Sequence, residues 1–200
     1  MSKFPRIQTV PSRYLEEIVR DADARTMNLT KDLDDQQLIG PRMSIVNPML
    51  WEIGHIGWFC EKFILRDRDH LNPIIKNIDD LYDSMAVAHS TRWDLALLSR
   101  EETIKYRENV RESIISRLGS AEYSSAENSY FTQLVVFHED MHDEAFTYTR
   151  QTLGYPEPIF AQEIPSDILE LGPYHGDVQI PGGIHMLGTS PKAPYFMDNE

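Results

Sequence analysis

Hydrophobic side chains recur at intervals of three and four residues in four long stretches of the chain, and this pattern predicts four amphipathic helices. The helices, A to D in chain order, are expected at Ser12–Asp32, Asn47–Arg66, Ser99–Gly119 and Ser125–Leu153. Helices B and C are joined by a mixed segment of about thirty residues, which is expected to hold one short helix near residues 78–85. The pattern is typical of a four-helix bundle with one long crossover.

Capping signals mark the ends of these helices. Asn47 precedes a proline and is expected to cap helix B. Ser99 and Glu102 form a capping-box signature at the start of helix C, and Gly154 follows the end of helix D. The polar segment 34–46, which contains Gly40–Pro41, is expected to be a loop.

Beyond helix D the pattern changes, because seven prolines and short apolar stretches replace the helical spacing. We therefore predict a helical bundle over residues 1–154, a linker over 155–176, and the truncated start of a second domain over 177–200. The fold class is all-α for the bundle, followed by β-type beginnings.

Composition narrows the range of partners. The net charge of −13 and the pI near 4.9 disfavour nucleic acid and anionic membranes, because polyanions are repelled. Cys60 is the single cysteine, so no intrachain disulfide can form. Charged residues or histidines interrupt every apolar run. A cytoplasmic protein that acts on small molecules is expected, while the oligomeric state stays open.

His138 and His142 are four residues apart on helix D, so their rings can share one metal ion on one side of the helix. Glu139 between them completes the zinc-protease pattern, in which the glutamate is the general base. That alternative would take Glu163 as a third ligand. Both histidines interrupt an apolar stripe, where an unpartnered imidazole would cost about 1 to 3 kcal/mol.

His55 is the candidate for a third ligand, because it lies on helix B between Gly54 and Gly57, which allow close approach of a neighbouring group. Three imidazoles leave coordination positions open for substrate or dioxygen, and both zinc and iron are chemically admissible. One ion at roughly 2.1 Å from each ring would place the imidazole nitrogens about 3 to 4 Å apart.

Three segments carry a resemblance to a known family. Asn47–Phe59 resembles the first histidine motif of the DinB-like domain in ergothioneine-biosynthesis sulfoxide synthases, and Phe137–Glu144 resembles the second. Ile180–Gly188 and Phe196–Glu200 resemble the opening of the formylglycine-generating-enzyme-like domain that follows the bundle in those enzymes.

This resemblance implies non-haem iron(II) held by His55, His138 and His142. It implies an oxygen-dependent reaction that joins a thiol to the imidazole ring of hercynine and gives a sulfoxide. The catalytic tyrosine and most of the hercynine pocket of the family would lie beyond Glu200, so no acid or base is assigned. In this interpretation Glu139 is a helix-surface residue.

The sulfur donor is less well defined. Where the family has several arginines before Leu97–Arg100, this chain matches only at Arg92, the candidate for binding the donor carboxylate through its planar guanidinium. γ-Glutamylcysteine, cysteine and the selenium donor of selenoneine-forming relatives all remain open. A non-catalytic or thiol-transferring DinB-like bundle and a zinc metalloprotease are the alternatives from other classes.

Overall fold

The computed structural model describes residues 9–120, 125–160 and 176–188, and these residues form helices but no strand. The α-helices are α1 (Ser12–Thr30), α2 (Asp35–Ile39), α3 (Met49–Cys60), α4 (Asp79–Tyr82), α5 (Arg100–Leu118) and α6 (Ala126–Leu153). A π-helical turn, Glu61–Arg66, continues α3, and a 3-10 turn forms at His89–Thr91. The predicted all-α class is confirmed.

Four long helices pack in a ring, in which α1 contacts α6, α6 contacts α3, α3 contacts α5, and α5 contacts α1. Their inward faces form a continuous apolar core around fully buried side chains such as Trp51, Tyr106 and Phe146. The crossover between α3 and α5 lies against α3, because α4 packs on that helix. Helices α3 and α6 are therefore neighbours in the ring, which brings the two predicted histidine motifs together.

The local predictions were wrong in three places. Segment 34–46 contains a helix, α2, whose N-terminus is capped by a capping box between Asp34 and Gln37. The crossover helix is shorter than residues 78–85 and spans Asp79–Tyr82. Asn47 does not cap α3, since Pro48 holds that position and the Asn47 side chain bonds elsewhere.

The ends of the last two helices follow the sequence closely. Ser99 and Glu102 make the expected capping box at α5, and Ser125 accepts a hydrogen bond from the Asn128 backbone at the start of α6. Gly154 ends α6 in the left-handed conformation with φ 66°, which glycine adopts at little cost. Residues 155–160 and 176–188 form neither helix nor strand. The predicted boundary at 154 and the second domain stay predictions.

In the part of the chain that the structure describes, no helix combines the length and the apolar character needed to cross a bilayer.

Candidate metal centre

His55 on α3 faces His138 and His142 on α6, and the three rings form a nearly regular triangle. The ring centroids are 5.1 Å apart for His55–His138, 5.1 Å for His55–His142 and 4.8 Å for His138–His142. His55 is 3% exposed and His138 is 9% exposed, so the cluster lies inside the bundle. Among the described residues, these three histidines lie close enough together to be candidate ligands of one metal ion.

A backbone carbonyl fixes the orientation of His55. Its Nδ1 lies 2.8 Å from the carbonyl oxygen of Tyr82, at the end of α4. Because a carbonyl only accepts hydrogen bonds, Nδ1 must carry the proton and donate, which leaves the lone pair on Nε2 for a metal. The crossover segment, through α4, thus sets the tautomer of a residue on α3.

Aromatic rings enclose the cluster on the α3 side. The ring of Trp51, one helical turn before His55, stacks on it with centroids 4.8 Å apart. The ring of Phe59, one turn after His55, stacks on His138 with centroids 3.5 Å apart and an interplanar angle of 5°. Residues 51, 55 and 59 are four residues apart and share one face of α3, so the rings of Trp51 and Phe59 lie on either side of His55 along the helix.

The spacing between the ligands is wider than the sequence analysis predicted. One ligand atom from each histidine lies within 4.8 Å of the others, whereas a shared ion requires about 3.0 to 3.4 Å. The donor set suits a divalent transition metal, and the Nδ1 atom of His138 is buried with no hydrogen-bond partner among the described residues. The residues therefore fit a metal ion.

Burial favours the neutral form of His55 and His138, which metal binding requires. Burial, and then the nearby charge of His142, lower the pKa of His55 to about 3. The same two causes, together with His55, lower the pKa of His138 well below its ordinary value. Asp143 shifts in the opposite direction, because burial and the neighbouring Glu139 raise its pKa to about 7.

We expect the metal-free protein to lose stability as the pH falls from 6.5 to 5. The unfolded chain then protonates His55 and His138 while the folded chain cannot, and Asp143 offsets about one of these two protons. Averaged over this range, the free energy of unfolding should fall by about 1 kcal/mol per pH unit. Urea unfolding with a chelator measures this slope. A double variant, His55→Gln with His138→Gln, should reverse its sign, and an unchanged slope there would contradict the assignment.

Glu139 is not a helix-surface residue, which corrects the sequence-based expectation. It is 5% exposed and accepts hydrogen bonds from Thr26 on α1, at 2.7 Å, and from Arg107 on α5, at 2.6 Å. Its carboxylate is thus engaged by a hydroxyl and a guanidinium, which removes the free general base that the protease pattern needs. Glu163 lies outside the described residues.

Arg92 is buried rather than placed in a surface ion pair. Its guanidinium lies 3.7 Å from the ring centroid of Trp51, and Nη1 donates to Asn47 Oδ1 at 2.7 Å. A longer bond, 3.4 Å, reaches the carbonyl of Val87, and Nε has no partner among the described residues. Burial lowers the pKa of Arg92, although Glu52 acts in the opposite sense. Arg92 thus contacts the same tryptophan as His55.

The two glycines beside His55 allow side chains, rather than backbone, to approach α3. A Cβ atom on Gly54 would lie 2.3 Å from the ring of Tyr82, and one on Gly57 would lie 2.9 Å from Cγ of Arg107. The close packing that the sequence predicted is present, and its partners are an aromatic ring and an arginine stem.

Comparison with known proteins agrees with this architecture. Residues 19–146 match the DinB superfamily, and the chain belongs to this family.

Three curated relatives are named hercynine oxygenase. The protein of Mycolicibacterium smegmatis is 28% identical over 182 residues, which is 90% of this chain and 42% of the relative. That of Mycolicibacterium thermoresistibile is 28% identical over 183 residues, 90% of this chain and 40% of the relative. That of Mycobacterium tuberculosis is 30% identical over 125 residues, 62% of this chain and 29% of the relative. The chain therefore spans less than half the length of these relatives.

Proposed function

We propose that this chain is the metal-binding bundle of a non-haem iron(II) sulfoxide synthase that acts on hercynine. The observation that carries the proposal is the buried triangle of His55, His138 and His142 between α3 and α6. It is supported by the similarity to proteins named hercynine oxygenase along 90% of the chain. Residues 155–176 and 177–200 are then the linker and the start of the second domain.

The proposed reaction joins the imidazole C–H of hercynine to the S–H of a thiol with one molecule of dioxygen. A C–S bond forms, one oxygen atom becomes the sulfoxide oxygen, and the other leaves in water with the two hydrogens. Iron(II) held by three imidazoles would offer open positions at which substrate imidazole, thiolate and dioxygen meet.

The protein's own residues would prepare this centre. Tyr82 holds His55 with Nε2 free, and the rings of Trp51 and Phe59 exclude water on one side. Exclusion of water strengthens electrostatic interactions at the metal and protects reactive species. The negative charge of the chain, −13, is compatible with zwitterionic or cationic substrates such as a betaine.

The test is a product assay on the full-length protein. It is reconstituted anaerobically with iron(II) and then given hercynine and air with cysteine, γ-glutamylcysteine or a selenosugar. We expect an oxygen-dependent sulfoxide or selenium product, identified by mass, that is lost in His138→Ala. The matched control is His70→Asn, a loop histidine with φ 56°, which asparagine tolerates. Absence of product with every donor would refute the proposal, and peptide hydrolysis would favour the protease.

Arg92 is proposed to bind the carboxylate of the donor through the N–H groups of its guanidinium that bond neither Asn47 nor Val87. Arg92→Lys keeps the charge and loses the planar fork, so we expect the KM for the donor to rise about tenfold or more while the KM for hercynine changes little. Steady-state kinetics with each substrate varied in turn measures both. An equal rise in both constants would argue against a donor-specific role.

A further inference from the structure

A buried carboxylate lies behind the metal centre, on the same helix as His55. Glu52 is three residues before His55, is 2% exposed, and belongs to the apolar first turns of α3. One of its oxygens, Oε2, has no hydrogen-bond partner among the described residues. An unpaired buried carboxylate oxygen is costly, so such a group calls for a partner.

The side chain that faces Glu52 from the opposite helix is His142. Glu52 Oε1 lies 3.7 Å from Nδ1 of His142, and this Nδ1 is also buried without a hydrogen-bond partner among the described residues. An imidazole nitrogen without a partner thus faces, at slightly more than hydrogen-bond distance, a carboxylate that has one oxygen, Oε2, without a partner.

The position of Glu52 is itself held by Asn47, which lies just before α3 and bonds Arg92 of the crossover segment. Asn47 donates through Nδ2 to Glu52 Oε1 at 2.7 Å, and its Oδ1 accepts from Arg92 Nη1 at 2.7 Å. Asn47 therefore uses both ends of its amide to join a carboxylate and a guanidinium inside the protein. This arrangement explains why Asn47 does not serve as a helix cap.

We propose that Glu52 is the positioning residue of His142: it accepts the Nδ1–H of His142 and so directs Nε2 to the metal, while Asn47 holds the carboxylate in place. Histidines that bind metals commonly donate their second N–H to a carboxylate, which fixes the tautomer and makes the ligating nitrogen more basic. The carbonyl oxygen of Tyr82 fixes the tautomer of His55 in the same way, because it accepts the Nδ1–H of that ring. The inference rests on the proposed function in so far as it assumes the metal site.

The first test measures metal affinity with cobalt(II) alone, whose visible absorption reports coordination. Loss of an outer-shell partner typically weakens metal binding 10- to 100-fold, so we expect a loss of about that size for Glu52→Leu. Glu52→Gln, which keeps a neutral acceptor, should fall between Glu52→Leu and the unaltered protein. The matched control is Glu144→Gln, which removes an exposed carboxylate from α6. Equal affinities for the Glu52 variants and the unaltered protein would overturn the proposal, as would an equal loss in the control.

The second test needs no metal and separates this inference from the proposed function. Nitrogen-15 NMR of the imidazoles in the metal-free protein should show His142 protonated at Nδ1, and Glu52→Gln should shift that resonance. Asn47→Ala should shift it in the same direction, because the carboxylate loses its support. A His142 ring protonated at Nε2, or unchanged by Glu52→Gln, would overturn the role of Glu52 even if the protein binds iron. A confirmed tautomer in a protein that binds no cobalt would sustain the Glu52 contact while the metal function fails.

Discussion

Gly54→Ala is expected to unfold or severely destabilise the bundle and to abolish metal binding. The new Cβ would lie 2.3 Å from Cζ and 2.4 Å from Cε1 of Tyr82, distances that no packed methyl group tolerates. Tyr82 is fully buried, so its ring has no free space to enter. Overpacking of a core typically costs 1 to 3 kcal/mol and occasionally more, and a clash with a rigid ring between two helices should reach about 3 kcal/mol.

The loss of metal binding follows from the backbone carbonyl of Tyr82. The Tyr82 carbonyl accepts the Nδ1–H of His55, so a displaced Tyr82 releases the His55 ring. Thermal unfolding and cobalt titration together measure both losses. Gly119→Ala is the matched control, because nothing lies within 4 Å of its Cβ position and the backbone φ is −76°. Normal stability and metal affinity in Gly54→Ala would show that Tyr82 does not pack as described.

Arg107→Leu is expected to lower the free energy of unfolding by about 3 to 5 kcal/mol. Arg107 is 5% exposed and donates to Asp23 at 2.8 Å and to Glu139 at 2.6 Å, which ties α5 to α1 and α6. Burial alone would lower its pKa, but Glu139 and Asp23 hold the pKa above its ordinary value. Removal of the guanidinium leaves the buried carboxylate of Glu139 without its counter-charge, which is the costly event, while Asp23 keeps its ion pair with Arg111.

Chemical denaturation measures this loss, and two comparisons identify its cause. Arg13→Leu removes an exposed ion pair with Glu17 and should cost well under about 1 kcal/mol. A triple variant, Arg107→Leu with Asp23→Asn and Glu139→Gln, should recover part of the stability, since neutral amides are cheaper to bury. A loss below about 1 kcal/mol for Arg107→Leu would contradict the assigned network.

The long helices and the grouping of the two histidines of α6 on one face could be predicted from sequence because each depends on local signals. Helical spacing places His138 and His142 on one face, and caps such as Ser99 with Glu102 define the helix ends. The capping box of Asp34 and Gln37 is an equally local signal for α2, but a helix of five residues is too short to show the helical spacing of apolar side chains.

The surroundings of the ligands could not be predicted, because they depend on contacts between distant segments. Tyr82 reaches His55 across 27 residues, and Arg92 reaches Asn47 across 45. Glu139 looks like an exposed charge in a helical pattern, and only the folded structure shows that Thr26 of α1 and Arg107 of α5 engage it. Spacing within one helix carries no information about such partners.

One metal ion is proposed to bind between α3 and α6 through three imidazoles, and X-ray absorption of the iron(II)-loaded protein measures its coordination. We predict one ion per chain and scattering from three imidazole nitrogens at about 2.1 Å. In His55→Ala we predict loss of stoichiometric binding, or a centre with one imidazole fewer. An ion whose stoichiometry and imidazole count are the same with and without His55 would contradict the account.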